Sequence, residues 1–365
     1  MTKAAELAKM GEVLTNNQIG GRRNIVYNGA MQISQRSTSE TGLGATSGYF
    51  TLDRFKTIPN SLSGRFTQSQ ATITDLPGFA NALKFECTTA DTSIGASEYL
   101  IIQQSLEGQD LQQIKKGTSS AEEVTISFYV KGNASATYVL ELYDADNNRH
   151  VSKSFSVTSS WNRVILTYPA DTTGTFDDDN AQSLRLFLWL HSGSTYAGGT
   201  LDTTWHTTAA NRAAGISSFF DSTDRTLFIT GLQMEVGSQA TPFEHRSFGE
   251  ELALCQRYYF QVNGIGSEYA TMGAGQMYQT TTFLGHFQTP VPMRTRPSFS
   301  LSDSFSNSNF SVVTGGHVRA ISSLTPTGDN QHLRINAVTT SSGTQGHGGY
   351  IQIQSGYIGL WDAEL

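Results

Sequence analysis

Cysteine is almost missing from this chain: Cys87 and Cys255 are the only two in 365 residues. They stand far apart in apolar contexts, which predicts buried thiols rather than a disulfide or a metal pair. Charge is sparse too. Asp, Glu, Lys and Arg make up 15% of the chain, and 24 basic against 31 acidic residues leave a net charge of −7 with no Lys/Arg cluster. With no such cluster to neutralise phosphates, no nucleic-acid partner is expected. No apolar run reaches the roughly 18 residues of a membrane span, so no membrane insertion is expected. The opening residues MTKAAELAKMGEVL place Glu6 and Glu12 inside what would have to be a signal-peptide core. The chain is therefore expected to be made, and to stay soluble, in the cytoplasm of the producing cell.

Signatures of catalysis are missing as well. Hydrolysis needs carboxylates paired across a cleft, or a nucleophile with its base and orienting group. G-x-S-x-G, H-E-x-x-H, the P-loop and C-x-x-C are all absent, and the eight histidines are scattered without metal-ligand spacing. Glu122-Glu123 reads as a solvated turn, and Glu250-Glu251 as a helix N-terminus, where acidic side chains complement the dipole. The expectation is no enzyme, no cofactor and no bound metal.

What the chain does have is glycine, 35 of them, with Ser and Thr throughout and short alternating apolar stretches. That profile predicts an all-β protein with many turns, long enough for two domains. The expected division is an N-terminal helix and linker over 1–20, a jelly-roll-like antiparallel sandwich over 21–248 and a smaller β-sandwich over 249–365. In the helix, Leu7, Met10 and Leu14 form one apolar stripe that needs a partner. The stretch is either an attachment and assembly peptide or a frayed terminus.

Strands are predicted at 24–33, 49–58, 65–73, 83–87, 98–104, 124–131, 136–142, 151–157, 161–168, 184–190 and 227–236, with a helical turn within 106–116. About ten strands without crossover helices imply two packed antiparallel sheets. Asp53-Arg54 reads as an ion pair or turn anchor. Asp144, Asp146 and Asn148 have calcium-loop spacing but lack its glycine and distal glutamate, so they and 177–180 read as turns. The excursion over 191–224 carries Tyr196, Trp205 and His206 among small polar residues. Its aromatics either stack on sugar rings or, for Trp205, plug one end of the sandwich. Beyond residue 257, 277–288 alternates, with Tyr278 and His286 on one face, and 289–297 is a proline-stiffened edge. Strands then complete the small sandwich, with His347 on a glycine-rich tip. Tyr278, His286 and His347 join Tyr196, Trp205 and His206 as candidate contacts.

The chain is organised around residues 227–260, where a long strand ends in LQMEVGS, passes through ATPFEHR and enters GEELALCQRYY. Ser247 and Glu250 stand at capping-box spacing, so a short helix should start there. This joint resembles that of a family of tailed-bacteriophage tail-fibre and receptor-binding proteins with a jelly-roll, carbohydrate-binding-module-like domain. NIVYNGAMQISQRS at 24–37, YFTLDRF at 49–55, PGFANALKF at 77–85, VTISFYVKG at 124–132, PADTTGTF at 169–176, the Pro and Met-Arg segment at 289–297 and the closing WDAEL are similar to it as well.

The resemblance implies a virion protein of the tail with β-sandwich domains and no catalytic residues. It implies a homotrimer joined to other phage proteins through its N-terminus, the distal β-domain contacting a host cell-surface glycan or protein. Two other classes fit the architecture: a head or neck decoration protein, and a polysaccharide depolymerase assembled from distant residues.

Overall fold

A run such as TLFITGLQMEV has apolar side chains on both alternations, so as a strand it must be covered on both faces. In the computed structural model, which describes residues 3–4, 23–263, 269–301, 310–354 and 357–365, that run is the last strand of the larger of two units. The units are Met1–Glu251 and Leu252–Leu365. Beyond Lys3 and Ala4, which are helical, the expected N-terminal helix with Leu7, Met10 and Leu14 falls outside the described residues.

Among its described residues the first unit contains twelve strands: β1 (Ser39–Leu43), β2 (Gly48–Tyr49), β3 (Lys56–Asn60), β4 (Arg65–Thr72), β5 (Asn81–Thr89), β6 (Tyr99–Glu107), β7 (Val124–Gly132), β8 (Ala136–Asp144), β9 (Arg149–Val157), β10 (Asn162–Tyr168), β11 (Gln182–Ser192) and β12 (Thr226–Val236). They form two six-stranded antiparallel sheets, ordered β1-β4-β5-β12-β7-β10 and β2-β3-β6-β11-β8-β9. Leu83, Phe128 and Ile229 of the first sheet meet Ile102, Leu140, Leu186 and Leu188 of the second. This is the expected jelly-roll-like sandwich. The turn expected near 106–116 is a pair of 3-10 turns, Gly108–Asp110 and Gln112–Ile114.

Two predicted strands take another form. Residues 24–33 are irregular, because Asn28 and Met31 adopt positive φ (56° and 57°) and side chains replace the ladder. Asn28 Nδ2 donates to the carbonyls of Ile33 and Asp53, and Asn24 Nδ2 donates to that of Leu232. Residues 49–58 are cut into β2 and the start of β3 by a turn at Asp53-Arg54. Asp53 accepts the Gln35 amide there, and Arg54, at φ 74°, donates to the Ser105 carbonyl.

The joint works as a buckle for the chain's beginning. Glu244 accepts the backbone N–H groups of Arg23 (3.0 Å) and Asn24 (2.6 Å), Arg246 donates to the carbonyl of Val26 (3.1 Å), and Glu251 accepts the Asn28 amide. Helix α2 (Phe248–Gln256), so numbered after the short α1 (Ser194–Ala197), begins with the expected capping box. Glu250 N–H donates to Ser247 Oγ (3.3 Å), and Ser247 N–H donates to Glu250 Oε2 (2.9 Å). Cys87 and Cys255 are both buried and outside any disulfide among the described residues.

In the second unit the strands close on themselves instead of stacking as two sheets. β14 (Ala270–Gln279), β15 (Thr282–Gln288), β17 (Phe310–Thr314), β18 (His317–Gly328), β19 (His332–Thr339) and β20 (Gly348–Ile353) form a barrel in the order β14-β15-β19-β18-β17-β20. β13 (Tyr259–Asn263), β16 (Ser298–Leu301) and β21 (Ile358–Asp362) form a three-stranded sheet. The single alternating run expected over 277–288 is broken into the hairpin of β14 and β15. Met277 and Phe283 point into the apolar interior with Val312, Ile335 and Ile351. Trp361 is fully buried and stacks on Phe287, with ring centroids 5.2 Å apart.

Candidate functional site

Since Ile102, Leu140, Leu186 and Leu188 fill the interior, the alternate residues of the same strands point to the outer face of the second sheet. The registers lay them out in rows. Tyr49 stands beside Lys56, Lys56 beside Gln103, Gln103 beside Phe187, and Phe187 beside Glu141. In the next row Ser105, Arg185, Tyr143 and His150 are neighbours, and on the other side Ile58, Ile101, Trp189 and Val139. A solvated sheet face would carry small polar side chains. This one is aromatic and basic instead.

Part of the face is roofed by residues 191–224. Tyr196 of α1 packs on Trp189 and Tyr99, with ring centroids 5.4 Å away in both cases. Arg212 enters the aromatic layer, its guanidinium 5.1 Å from the Trp189 ring centre and 5.3 Å from that of Tyr143. There it pairs with Glu141: Nε donates to Oε1 at 2.8 Å and the fork's other arm to Oε2 at 3.2 Å. Glu141 also accepts the Trp189 indole N–H. Burial pushes the Glu141 carboxyl up, and Arg212 pulls against it. At the far edge His206 pairs with His150 as an isolated bridge, both backbone hydrogen bonds at 2.9 Å.

Beyond the roof the strip stays open at Tyr143 and Arg185, both half-buried. Arg185 lies 5.4 Å from the Tyr143 ring centre, and its Nε is buried without a hydrogen-bond partner. It forms no ion pair among the described residues. Burial holds its pKa below the ordinary arginine value. Tyr143 is stacked between Phe187 (15° between planes) and His150 (20°), so its ring is fixed before anything binds. Tyr49, with the Lys56 ammonium 5.5 Å from its ring centre, marks the other end. A rigid aromatic surface with a planar cation in its row suits ring faces bearing hydroxyls and carboxylates.

The residues singled out in the sequence fall elsewhere. Trp205 closes one end of the sandwich: its indole N–H donates to the Pro169 carbonyl (2.8 Å), and it lies against Lys116, Tyr168 and Phe176. Tyr196 and His206 are half-buried parts of the roof. In the second unit Tyr278 and His347 are exposed, and His286 is exposed on β15 beside Ala274 and Arg334. The Asp144 loop is a turn. Its Oδ1 accepts the backbone N–H groups of Asp146 (3.1 Å) and Asn147 (3.0 Å), and Lys116, buried with it, pairs with both Asp144 and Asp171.

The roof is pH-sensitive through His150, which burial, then Arg212 and His206, push from 6.5 down to about 4. The unfolded chain therefore binds the proton first as pH falls. The neutral-His contribution is complete above about pH 7 and is lost between about pH 6.5 and 4, a change of roughly 3 kcal/mol. Burial moves His206 in the same direction. Urea unfolding at pH 7, 5.5 and 4.5 is expected to show this fall, and His150→Gln should flatten it. An equally steep fall in that variant would contradict the assignment.

No protein-family model and no curated protein matches the chain. Distant likeness to solved structures exists. A bacteriophage CBA120 tailspike protein 4 enzymatically active domain is 10% identical at a TM-score of 0.30, the match covering 58% of this chain and 21% of that one. A family 11 carbohydrate-binding module from Clostridium thermocellum, in complex with a β-1,3-1,4-mixed-linked tetrasaccharide, is 14% identical at a TM-score of 0.27, covering 56% and 99%. A TmCBM61 structure in complex with β-1,4-galactotriose is 10% identical at 0.29, covering 59% and 99%. This chain thus spans about a fifth of the tailspike domain's length. Likeness this remote assigns no function.

Proposed function

We propose that the chain is an adhesive subunit that holds a cell-surface saccharide on the strip from Tyr49 to Tyr143 without cleaving it. The observation that carries this reading is the outer sheet face itself, where Tyr143 is fixed by Phe187 and His150 beside an arginine whose buried Nε has no hydrogen-bond partner. Arg185 favours sugars bearing a carboxylate, which accepts its planar fork bidentately. The nearby buried carboxylates are committed elsewhere, Glu141 to Arg212 and Asp171 to Lys116 and Arg149, which supports binding without acid–base chemistry. With the resemblance of the joint, the reading extends to a tail-fibre or receptor-binding protein of a tailed phage. Weak sites on a self-associated virion protein would gain their strength from avidity.

A glycan array probed with the intact chain tests the proposal. Retention of host-surface glycans, strongest for uronic-acid-containing ones, is the expected result. Absence of binding to any saccharide, with the protein folded, would refute it.

A further inference from the structure

At the root of the roof, three side chains distant in sequence converge. Asp91 and Glu98 lie on the connection between β5 and β6, and His191 lies near the end of β11; their ligating atoms are all within 4.8 Å of one another. His191 is fully buried, and Asp91 and Glu98 are 6% and 8% exposed. Nε2 of His191 has no hydrogen-bond partner and faces Glu98 Oε2 at 3.7 Å. Its Nδ1 is 2.8 Å from Ser218 Oγ, which also accepts the Phe220 amide at 3.0 Å. Asp91 accepts the backbone N–H groups of Ser63 and Ser93, and Glu98 accepts that of Gly95. Neither carboxylate is paired with a lysine or arginine among the described residues.

Two carboxylates and an imidazole whose Nε2 has no hydrogen-bond partner, all buried and with no lysine or arginine beside them among the described residues, form a set of ligand atoms that a cation would satisfy.

We propose that Asp91, Glu98 and His191 bind a first-row divalent transition ion, zinc foremost. One imidazole nitrogen with two carboxylate oxygens is a donor set for zinc and its neighbours, whereas calcium takes six to eight oxygens. Metal–ligand distances of about 2.0–2.2 Å put tetrahedral ligands roughly 3.2–3.6 Å apart, so the His191–Glu98 pair needs almost no movement. Ser218 is the group that orients the imidazole from its other nitrogen. The ion would fasten the connection between β5 and β6 to both ends of the roof, His191 at its start and Ser218 near its finish. It would hold the roof in place whether or not the strip binds a saccharide.

The test uses the intact chain stripped with a chelator, with zinc alone added back. The expected result is 1:1 binding by calorimetry and a rise of about 5 °C or more in the unfolding midpoint at saturating zinc, with no comparable rise in calcium or magnesium. Glu98→Gln and His191→Gln should each abolish the rise. Should either variant fail to fold, the visible spectrum of the cobalt-loaded wild type decides, since a four-coordinate nitrogen and oxygen site gives an intense band that free cobalt lacks. No zinc response in the wild type, a response that survives both substitutions, or a cobalt spectrum like that of the free ion would overturn the proposal.

Discussion

Arg212→Ala is expected to cost the first unit roughly 3–5 kcal/mol of stability, because it leaves Glu141 buried without its cation. The same change removes the guanidinium from the layer formed by Tyr143, Trp189 and Tyr196, so the roof should loosen as well. The deficit has a diagnostic pH dependence. Without Arg212 the Glu141 pKa rises further above its unfolded value, so the variant should recover stability as pH falls and the carboxyl takes up a proton. Glu141→Gln, which keeps an acceptor for the Trp189 indole, should cost less than Arg212→Ala. Urea unfolding of the three proteins at pH 8 and pH 5 checks this. A deficit below about 1 kcal/mol, or one that grows at pH 5, would show that the pair does not hold the roof.

The second large effect falls on binding. Arg185→Ala should weaken binding of the saccharide retained by the array about 10- to 100-fold, the loss expected for a charge-assisted hydrogen-bonding group in a binding site. Stability should barely change, since Arg185 makes no protein hydrogen bond or ion pair among the described residues. Arg185→Lys keeps the charge but not the planar fork, and should lie between the two. Calorimetric titration with the retained glycan measures all three. Equal affinities would remove the strip from consideration.

Much of the first unit was legible because its cues are local. The capping box at Ser247 and Glu250, the turn at Asp144 and the long alternation of β12 each depend on neighbours within a few residues. Residues 24–33 misled because Ile25, Tyr27 and Met31 alternate as a strand would, while the conformation is set by Asn28, Glu244 and Arg246. Nothing in the local pattern announces partners some 220 residues away. In the second unit, alternation set Met277 and Phe283 on one face, but with apolar residues on both faces it could not show which points inward or that the sheet closes.

The strip was missed for a related reason. In LRLFLWL at 184–190, Leu184, Leu186 and Leu188 fill the core, and the opposite face carries Arg185, Phe187 and Trp189. That second face is neither polar nor simply apolar, which is the signal the sequence held. Which half of it is roofed follows only from the path of residues 191–224. The excursion itself stood out by length, yet Tyr196 packs down on the sheet and Trp205 closes one end of the sandwich, leaving the platform to the strands. The Asp91, Glu98 and His191 cluster gave no spacing to read, because His191 joins the other two only where β11 pairs with β6.

The account stands on adhesion without bond cleavage. Its most direct test is to incubate the intact chain with the polysaccharide it retains, recover the polymer from the complex, and determine its length distribution. The account predicts retention with the length unchanged after prolonged incubation. Progressive shortening of the polymer would contradict it.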